Sequence, residues 1–283
     1  RREKITFLLS VGGGSVLDAT KFISLAVHYT AADPWELYTK GALSPQTVPL
    51  GAVITLPATG SEMNCNSVLS RESTAEKLAF SNPQAYPLFS VMDPESTFTL
   101  PERQTINGIV DAFVHVCEQY MTYPVNSPLQ DRQSEAVYHT LVEEGPKVLK
   151  NPRDYDARAN IMWAATHALN FIMACGVPED WSTHMIGHEI TALHGLDHAQ
   201  TLACVLFGVW KHQKQAKEAK LVQYGQRIWG ITPGPGAVEK AIDRTEAFFR
   251  SLGMKTRLHE YGVGTENFEK IASRIESRGM KQV

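Results

Sequence analysis

Along the first hundred residues, short apolar runs alternate with stretches of helical spacing. Ile5-Thr6-Phe7-Leu8-Leu9-Ser10-Val11 is apolar, short and ended by glycines, the pattern of a strand buried in a parallel sheet. Residues 16–29 then repeat apolar positions at helical intervals, with Ser15 placed to cap them. Two further apolar runs, residues 48–56 and 88–92, end at Pro57 and at Asp93-Pro94. Strand, helix and strand in that order predict an α/β unit whose loops of interest lie at the carboxyl ends of its strands. From Pro101 the period changes, and helical patterns cover residues 102–121, 131–150, 157–175 and 237–252. The last of these follows the turn Pro233-Gly234-Pro235-Gly236 and stops at Gly253, a helix-ending glycine. The expected division is an α/β dinucleotide-binding domain over residues 1–100 and an all-helical domain over residues 101–283, with no internal repeat.

Composition narrows the function without changing that picture. A hydrophobic content of 43% and a charged content of 20% describe an ordinary globular chain, and a net charge of -3 gives no electrostatic reason to expect nucleic acid or an anionic membrane as partner. The basic cluster KHQKQAKEAK at 211–220 reads as a solvated helix face. Four scattered cysteines with no CxxC pair suit a reducing compartment and argue against a disulfide framework or a thiolate zinc site. No apolar run approaches the ~18 residues of a spanning helix and no signal peptide is visible, so the cytoplasm is the expected setting. The opening Arg1-Arg2-Glu3-Lys4, without methionine, reads as the start of a fragment.

Two loops carry candidate binding chemistry. Gly12-Gly13-Gly14-Ser15 lies between the first strand and helix, where glycines let a pyrophosphate approach the free N–H groups of a helix N-terminus. Leu17 stands where the strict dinucleotide fingerprint needs its third glycine, so a tight structural turn accounts for the loop equally well. Pro57-Ala58-Thr59-Gly60-Ser61-Glu62-Met63-Asn64 follows the second strand; its hydroxyls and amide suit a cofactor, or a helix start capped by Thr59 or Ser61.

The most informative stretch is WSTHMIGHEITALHGLDHAQ, residues 181–200, which holds four of the ten histidines. His184 and His188 are four apart and share a helix face. His198 would lie about 21 Å from His184 along a straight helix, so sharing a metal requires the helix to break, and Gly195-Leu196-Asp197 offers the break. The metalloprotease pattern HExxH fails, because His194 follows His188-Glu189 at six positions rather than four. A carboxylate ligand is offered by Asp111, which stands four residues before His115 among apolar neighbours. An exposed ion pair of little consequence is the alternative for those two.

Together these motifs resemble the iron-type (group III) alcohol dehydrogenases of the dehydroquinate-synthase-like fold, and most of all the NADPH-dependent aldehyde reductases and butanol dehydrogenases among them. GGGSxxDxxK spans residues 12–21, TxPATGSE residues 55–62, Asp-x-x-x-His is Asp111 with His115, and WxxHxxGHxxxxxHGxxH spans residues 181–198. The resemblance implies a partial Rossmann-like nucleotide-binding domain followed by a helical metal-binding domain. It makes Asp111, His115, His184 and His198 the ligands of one divalent metal, Fe²⁺ or Zn²⁺, and His188 a proton relay beside the substrate. Gly13, Gly14 and Ser15 become pyrophosphate contacts, and Asp18 of the same motif a further cofactor-binding residue. Thr55, Thr59, Ser61, Asn64 and Lys77 become further cofactor contacts, with Lys77 near the nicotinamide ribose. The implied activity is interconversion of aldehydes and primary alcohols with NADP(H), or NAD(H), by a homodimer. Two departures are noted: Asp197-His198-Ala199 replaces the Pro-His-Gly of many members, and the family's first nucleotide-domain segment, which separates NADP from NAD, is not seen. An inactive metal-binding fragment is the competing expectation, and a lyase or hydrolase on the same fold a further one.

Overall fold

A computed structural model describes residues 4–30, 33–42, 44 and 46–279; residues 1–3, on which the fragment reading rests, lie outside the described part. The first apolar run forms β1 (Leu8–Gly13), which pairs in parallel with β2 (Leu50–Leu56) from Leu8 opposite Leu50 to Gly13 opposite Leu56. Strand β1 lies at the edge of its sheet, and Leu9 and Val11 are exposed while Ser10 is buried. The expectation of a buried strand therefore holds for β2 rather than for β1. Helix α1 (Gly14–Ala26) returns across the sheet, with α2 (Glu36–Thr39) after it. Gly13, in extended conformation, caps α1, so Ser15 sits in the first turn instead of at the cap.

An antiparallel hairpin, β3 (Asn66–Arg71) and β4 (Glu76–Ser81), follows the polar loop, and β5 (Ser90–Val91) then rejoins β2 in parallel. The alternation of apolar runs did not predict this hairpin. Its turn places Ala75, rather than a glycine or asparagine, in the left-handed region at φ 48°.

The helical part is arranged around α3 (Glu102–Tyr120), whose residues from Thr105 to Tyr120 are all buried. A helix enclosed on every side belongs at the centre, and α4 (Pro128–Lys150), α5 (Tyr155–Ala168) and α7 (His198–His212) pack on it, with α6 (Ser182–His194) against α7. Phe113 of α3 meets Tyr138 at 4.7 Å between ring centroids and Phe249 edge-on at 5.3 Å. Helices α8 (Lys214–Trp229), α9 (Ala237–Ser251) and α10 (Phe268–Ser277) complete the chain.

Two expectations are corrected here. Helix α5 ends at Ala168, short of residue 175, because its last carbonyls are taken elsewhere: Gln119 Nε2 donates to Ala168 O and Asn64 Nδ2 to Leu169 O. The basic stretch is not wholly a solvated face. Lys217 is buried on Met121 O and Asp180, and Lys220 is buried on Asp131 with its ammonium 3.7 Å from the Tyr120 ring centroid. The helix turns one side inward, and there the lysine stems pack while carboxylates neutralise the heads.

The two parts meet where the loops after β1 and β2 face α3. A Cβ at Gly108 of α3 would stand 2.3 Å from Pro57 O, so only glycine allows this approach. A Cβ at Gly14 would lie 2.6 Å from the Thr59 side chain. None of Gly12, Gly13 and Gly14 has positive φ, so closeness of the two loops, and not a left-handed turn, is what Gly14 serves.

Candidate active site

Asp111 and His115 occupy successive turns of α3, and His184 and His188 successive turns of α6. Helix α6 stops at Gly195, in the left-handed region at φ 69°, and α7 begins at His198. Asp197 and Gln200 form a capping box there, and Asn107 Nδ2, one turn before Asp111, donates to Asp197 Oδ2 at 2.8 Å. The break therefore brings His198 back beside His184, whose ring centroid is 5.1 Å away.

Three imidazoles surround one carboxylate oxygen. Asp111 Oδ1 lies 3.7 Å from His115 Nε2, 3.9 Å from His184 Nε2 and 3.7 Å from His198 Nε2. These separations are too long for hydrogen bonds. They suit ligands that each lie about 2.0–2.2 Å from a shared ion. Among the described residues, Asp111 Oδ1 and His184 Nε2 are buried without any hydrogen-bond partner, a costly arrangement that a cation would relieve. Ligand atoms of Asp111, His184 and His198 all lie within 4.8 Å of one another; His115 joins through Asp111 and stacks on His184 at 4.7 Å. Desolvation pushes His115 and His184 down to about 4, so both are neutral and free to ligate near pH 7. Burial and the Lys77 charge likewise hold His188 and His198 well below the ordinary histidine value. A set of three neutral imidazoles and one carboxylate fits a divalent iron or zinc ion.

Glu118, which spacing did not single out, fixes one member of this set. It accepts the backbone N–H groups of Thr183 at 2.6 Å and His184 at 3.1 Å, and it pairs with His184 Nδ1. A carboxylate on Nδ1 directs the lone pair of Nε2 toward Asp111. Burial raises the Glu118 pKa well above the usual carboxylate value. The available signal was its position seven residues after Asp111, two turns along the same face.

A cleft of about 740 Å³ joins this cluster to the glycine loop. Gly13, Gly14, Ser15, Asp18, Thr59, Ser61, Asn64 and Lys77 all line it, as do His188, Asp111, His115, His184 and His198; Thr55 does not. Asp18, Ser61 and Asn64 already spend side-chain atoms within the protein. Lys21, fully buried, donates to Ser61 Oγ at 2.8 Å and to Asn64 Oδ1 at 3.0 Å, and Ser61 Oγ donates to Asp18 Oδ1 at 2.6 Å. Asp18 Oδ2 also accepts Val68 N–H at 2.8 Å. This network ties the polar loop to α1 and the hairpin, so these residues shape the wall of the cleft. Lys21 closes the GGGSxxDxxK motif, and its depth was hidden because an i,i+3 Asp–Lys pair looks like a surface pair. Lys77, on β4, differs: among the described residues its ammonium has no hydrogen-bond partner, and burial lowers it to about 8 against the opposing pull of Asp111. Trp181, edge-on to His184 at 5.2 Å, supplies apolar wall with Met185 and Leu169.

Comparison with known proteins bears on what fills this cleft. Residues 1–94 match the family model described as iron-containing alcohol dehydrogenase, and residues 105–280 the one described as Fe-containing alcohol dehydrogenase family, C-terminal. The chain is 52% identical over 287 residues to the NADPH-dependent aldehyde reductase YqhD of Escherichia coli, covering 100% of this chain and 74% of that protein. It is 43% identical over 284 residues to NADP-dependent alcohol dehydrogenase 3 of Entamoeba histolytica, covering 98% of this chain and 72% of the relative. The crystal structure of E. coli YqhD superposes with a TM-score of 0.97 at 51% identity, covering 100% of this chain and 73% of that one.

Proposed function

Because the chain belongs to the iron-containing alcohol dehydrogenase family, we infer that the cleft is its active site, with Asp111, His115, His184 and His198 as metal ligands. The protein is an oxidoreductase that interconverts aldehydes and alcohols with NADP(H) and a bound metal. The observation that carries the site assignment is Asp111 Oδ1, buried without a hydrogen-bond partner and ringed by three imidazole nitrogens, in a cleft continuous with the glycine loop. The fold is the expected α/β layer followed by helices, and on our reading residues 1–100 supply the cofactor wall and residues 101–283 the metal site.

When bound, a divalent metal supplies Lewis acidity toward a carbonyl oxygen, and the nicotinamide supplies or accepts the hydride. The residues present do the rest. Gly13, Gly14 and Ser15 offer backbone N–H groups at the start of α1 to a pyrophosphate. Thr59 and Lys77 border the same space, with Lys77 on the side nearer Asp111. Asp18, Ser61 and Asn64 keep that wall in shape. Among the described residues His188 Nε2 is buried without a partner, and the ring is 5.0 Å from that of His198. A neutral imidazole donates at one nitrogen and accepts at the other, so His188 can pass a proton to the product oxygen while staying uncharged. Trp181, Met185 and Leu169 exclude water from the reacting groups.

The metal is Fe²⁺ or Zn²⁺ on this donor set, and NADP(H) is favoured over NAD(H) by the named cofactors of the relatives above. A homodimer acting in the cytoplasm completes the reading; no described helix is long and apolar enough to cross a membrane. No observation favours an inactive fragment, and residues 181–200 lack the lysine and arginine side chains that a phosphate-handling lyase would need. The test is aldehyde-dependent oxidation of NADPH, with NADH in parallel, on chelator-stripped protein given Fe²⁺ or Zn²⁺. Restored turnover is expected with one metal and abolished by Asp111→Ala. Turnover that ignores both chelator and Asp111→Ala would overturn the metal site.

A further inference from the structure

One buried carboxylate joins α6, α10 and the hairpin next to two residues that line the cleft, His188 and Lys77. Glu189 follows His188 on α6 and is 1% exposed. Arg274 of α10 brings Nε to 2.6 Å from Glu189 Oε2, and Arg278, just after that helix, donates to Oε1. A single guanidinium would neutralise the charge, yet both arginines reach further, onto the hairpin. Arg274 Nη2 donates to Ala75 O at 2.6 Å, and Arg278 Nη2 lies 3.8 Å from Glu76 Oε1. Ala75 and Glu76 directly precede Lys77, whose ammonium has no hydrogen-bond partner among the described residues. Helix α10 buries only Ile271 of its described residues, so apolar packing does little to explain why it docks there. Its contacts are those of a tie between α6 and the hairpin.

We propose that α10 is a strap, in which Arg274 and Arg278 bridge Glu189 to the hairpin turn and thereby hold Lys77 over the cofactor side of the cleft. They are positioning residues: neither lines the cleft. The planar fork of arginine suits the task, because one guanidinium serves a carboxylate with one edge and a carbonyl with another; lysine offers a single point charge. The strap rests on the reading that the cleft takes NADP(H) beside Lys77. It adds that affinity for this cofactor depends on a helix outside the cleft.

The experiment uses the full chain, metal-loaded, with Arg274→Gln, Arg278→Gln and Arg274→Lys. The measurements are NADPH dissociation constant, KM and kcat, metal content, thermal stability, and amide hydrogen exchange across residues 66–81. Both glutamine variants are expected to exchange faster in the hairpin and to bind NADPH about tenfold more weakly, a common size for coupling between sites. Their kcat at saturating NADPH and their metal content should stay near those of the parent. Arg274→Lys keeps a cation on Glu189 but gives up the second arm to Ala75 O, so it should restore thermal stability without restoring NADPH affinity. Full recovery of affinity in Arg274→Lys would show that charge compensation alone matters and would overturn the bridge. Unchanged hairpin exchange, or metal lost in step with NADPH affinity, would overturn it as well. If a glutamine variant fails to fold, Glu189→Gln with Arg274→Gln removes the buried charge together with one of its two arginine partners and carries the same comparison. Parent protein that binds no NADPH would sink the cofactor reading instead, and the exchange measurement alone would then decide the strap.

Discussion

Asp111 and Glu118 lie seven residues apart on one face of α3, and their surroundings separate their tasks. Asp111 turns an unpartnered oxygen toward three imidazoles, while Glu118 spends its oxygens on the start of α6 and on His184 Nδ1. If Glu118 sets the tautomer of His184, Glu118→Gln should weaken metal binding by about 10–100-fold, the usual cost of losing such a partner. A chelator-competition titration reads this directly, and wild-type affinity in Glu118→Gln would remove the residue from the metal site. The sequence disclosed the groups that spacing can disclose: Asp111 with His115, His184 with His188, and the break before His198. It concealed Glu118 and Lys21, because a charged residue at helical spacing reads as surface until burial is known. Both are almost fully enclosed, and enclosure depends on neighbours distant in sequence.

At the scale of elements, the junction between α6 and α7 decides whether four ligands can meet. Gly195 ends one helix in a conformation costly for other residues, and Asp197 starts the next while accepting from Asn107 of α3. Arg103 adds a weaker tie at 3.3 Å. Removing a capping side chain costs about 0.5–2 kcal/mol, and Asp197→Ala should destabilise metal-free protein by that amount in urea unfolding. The metal-loaded protein should lose more, since a displaced His198 also loses binding energy that supports the fold. Equal losses in the two forms would mean that the cap serves helix α7 and not the site. The long helices were legible because apolar periodicity and the Pro-Gly turns mark them to within a few residues. The hairpin was not, since its strands mix Asn, Ser, Arg, Glu and Lys with few apolar positions, and its turn rests on Ala75. Helix α5 was overextended for a different reason: its apolar pattern continues past Ala168, and side chains of α3 and the polar loop capture the carbonyls.

Lys77 acquires its character from the molecule as a whole. The hairpin brings it from the α/β side, Asp111 faces it from the helical side, and α6 packs against its strand. Enclosure between the two parts withdraws water from the ammonium and lowers it from 10.5 to about 8, while Asp111 and Asp18 limit the fall. The sign of the consequence follows. Below about pH 8 the side chain is a cation, and above it a neutral amine; an anionic cofactor prefers the cation and raises its pKa on binding. Affinity for NADPH should therefore be full below about pH 8, decline as pH rises through that value, and level off once pH exceeds the raised value in the complex. Lys77→Arg keeps its charge throughout and should flatten the profile at the high-affinity end, whereas Lys77→Met should flatten it at the low-affinity end. Equilibrium binding of NADPH to metal-free protein from about pH 6 to about pH 10 separates these cases. A parent profile with no decline, or the same decline in Lys77→Met, would assign the titration to another group and leave Lys77 without a charge-dependent part in holding the cofactor.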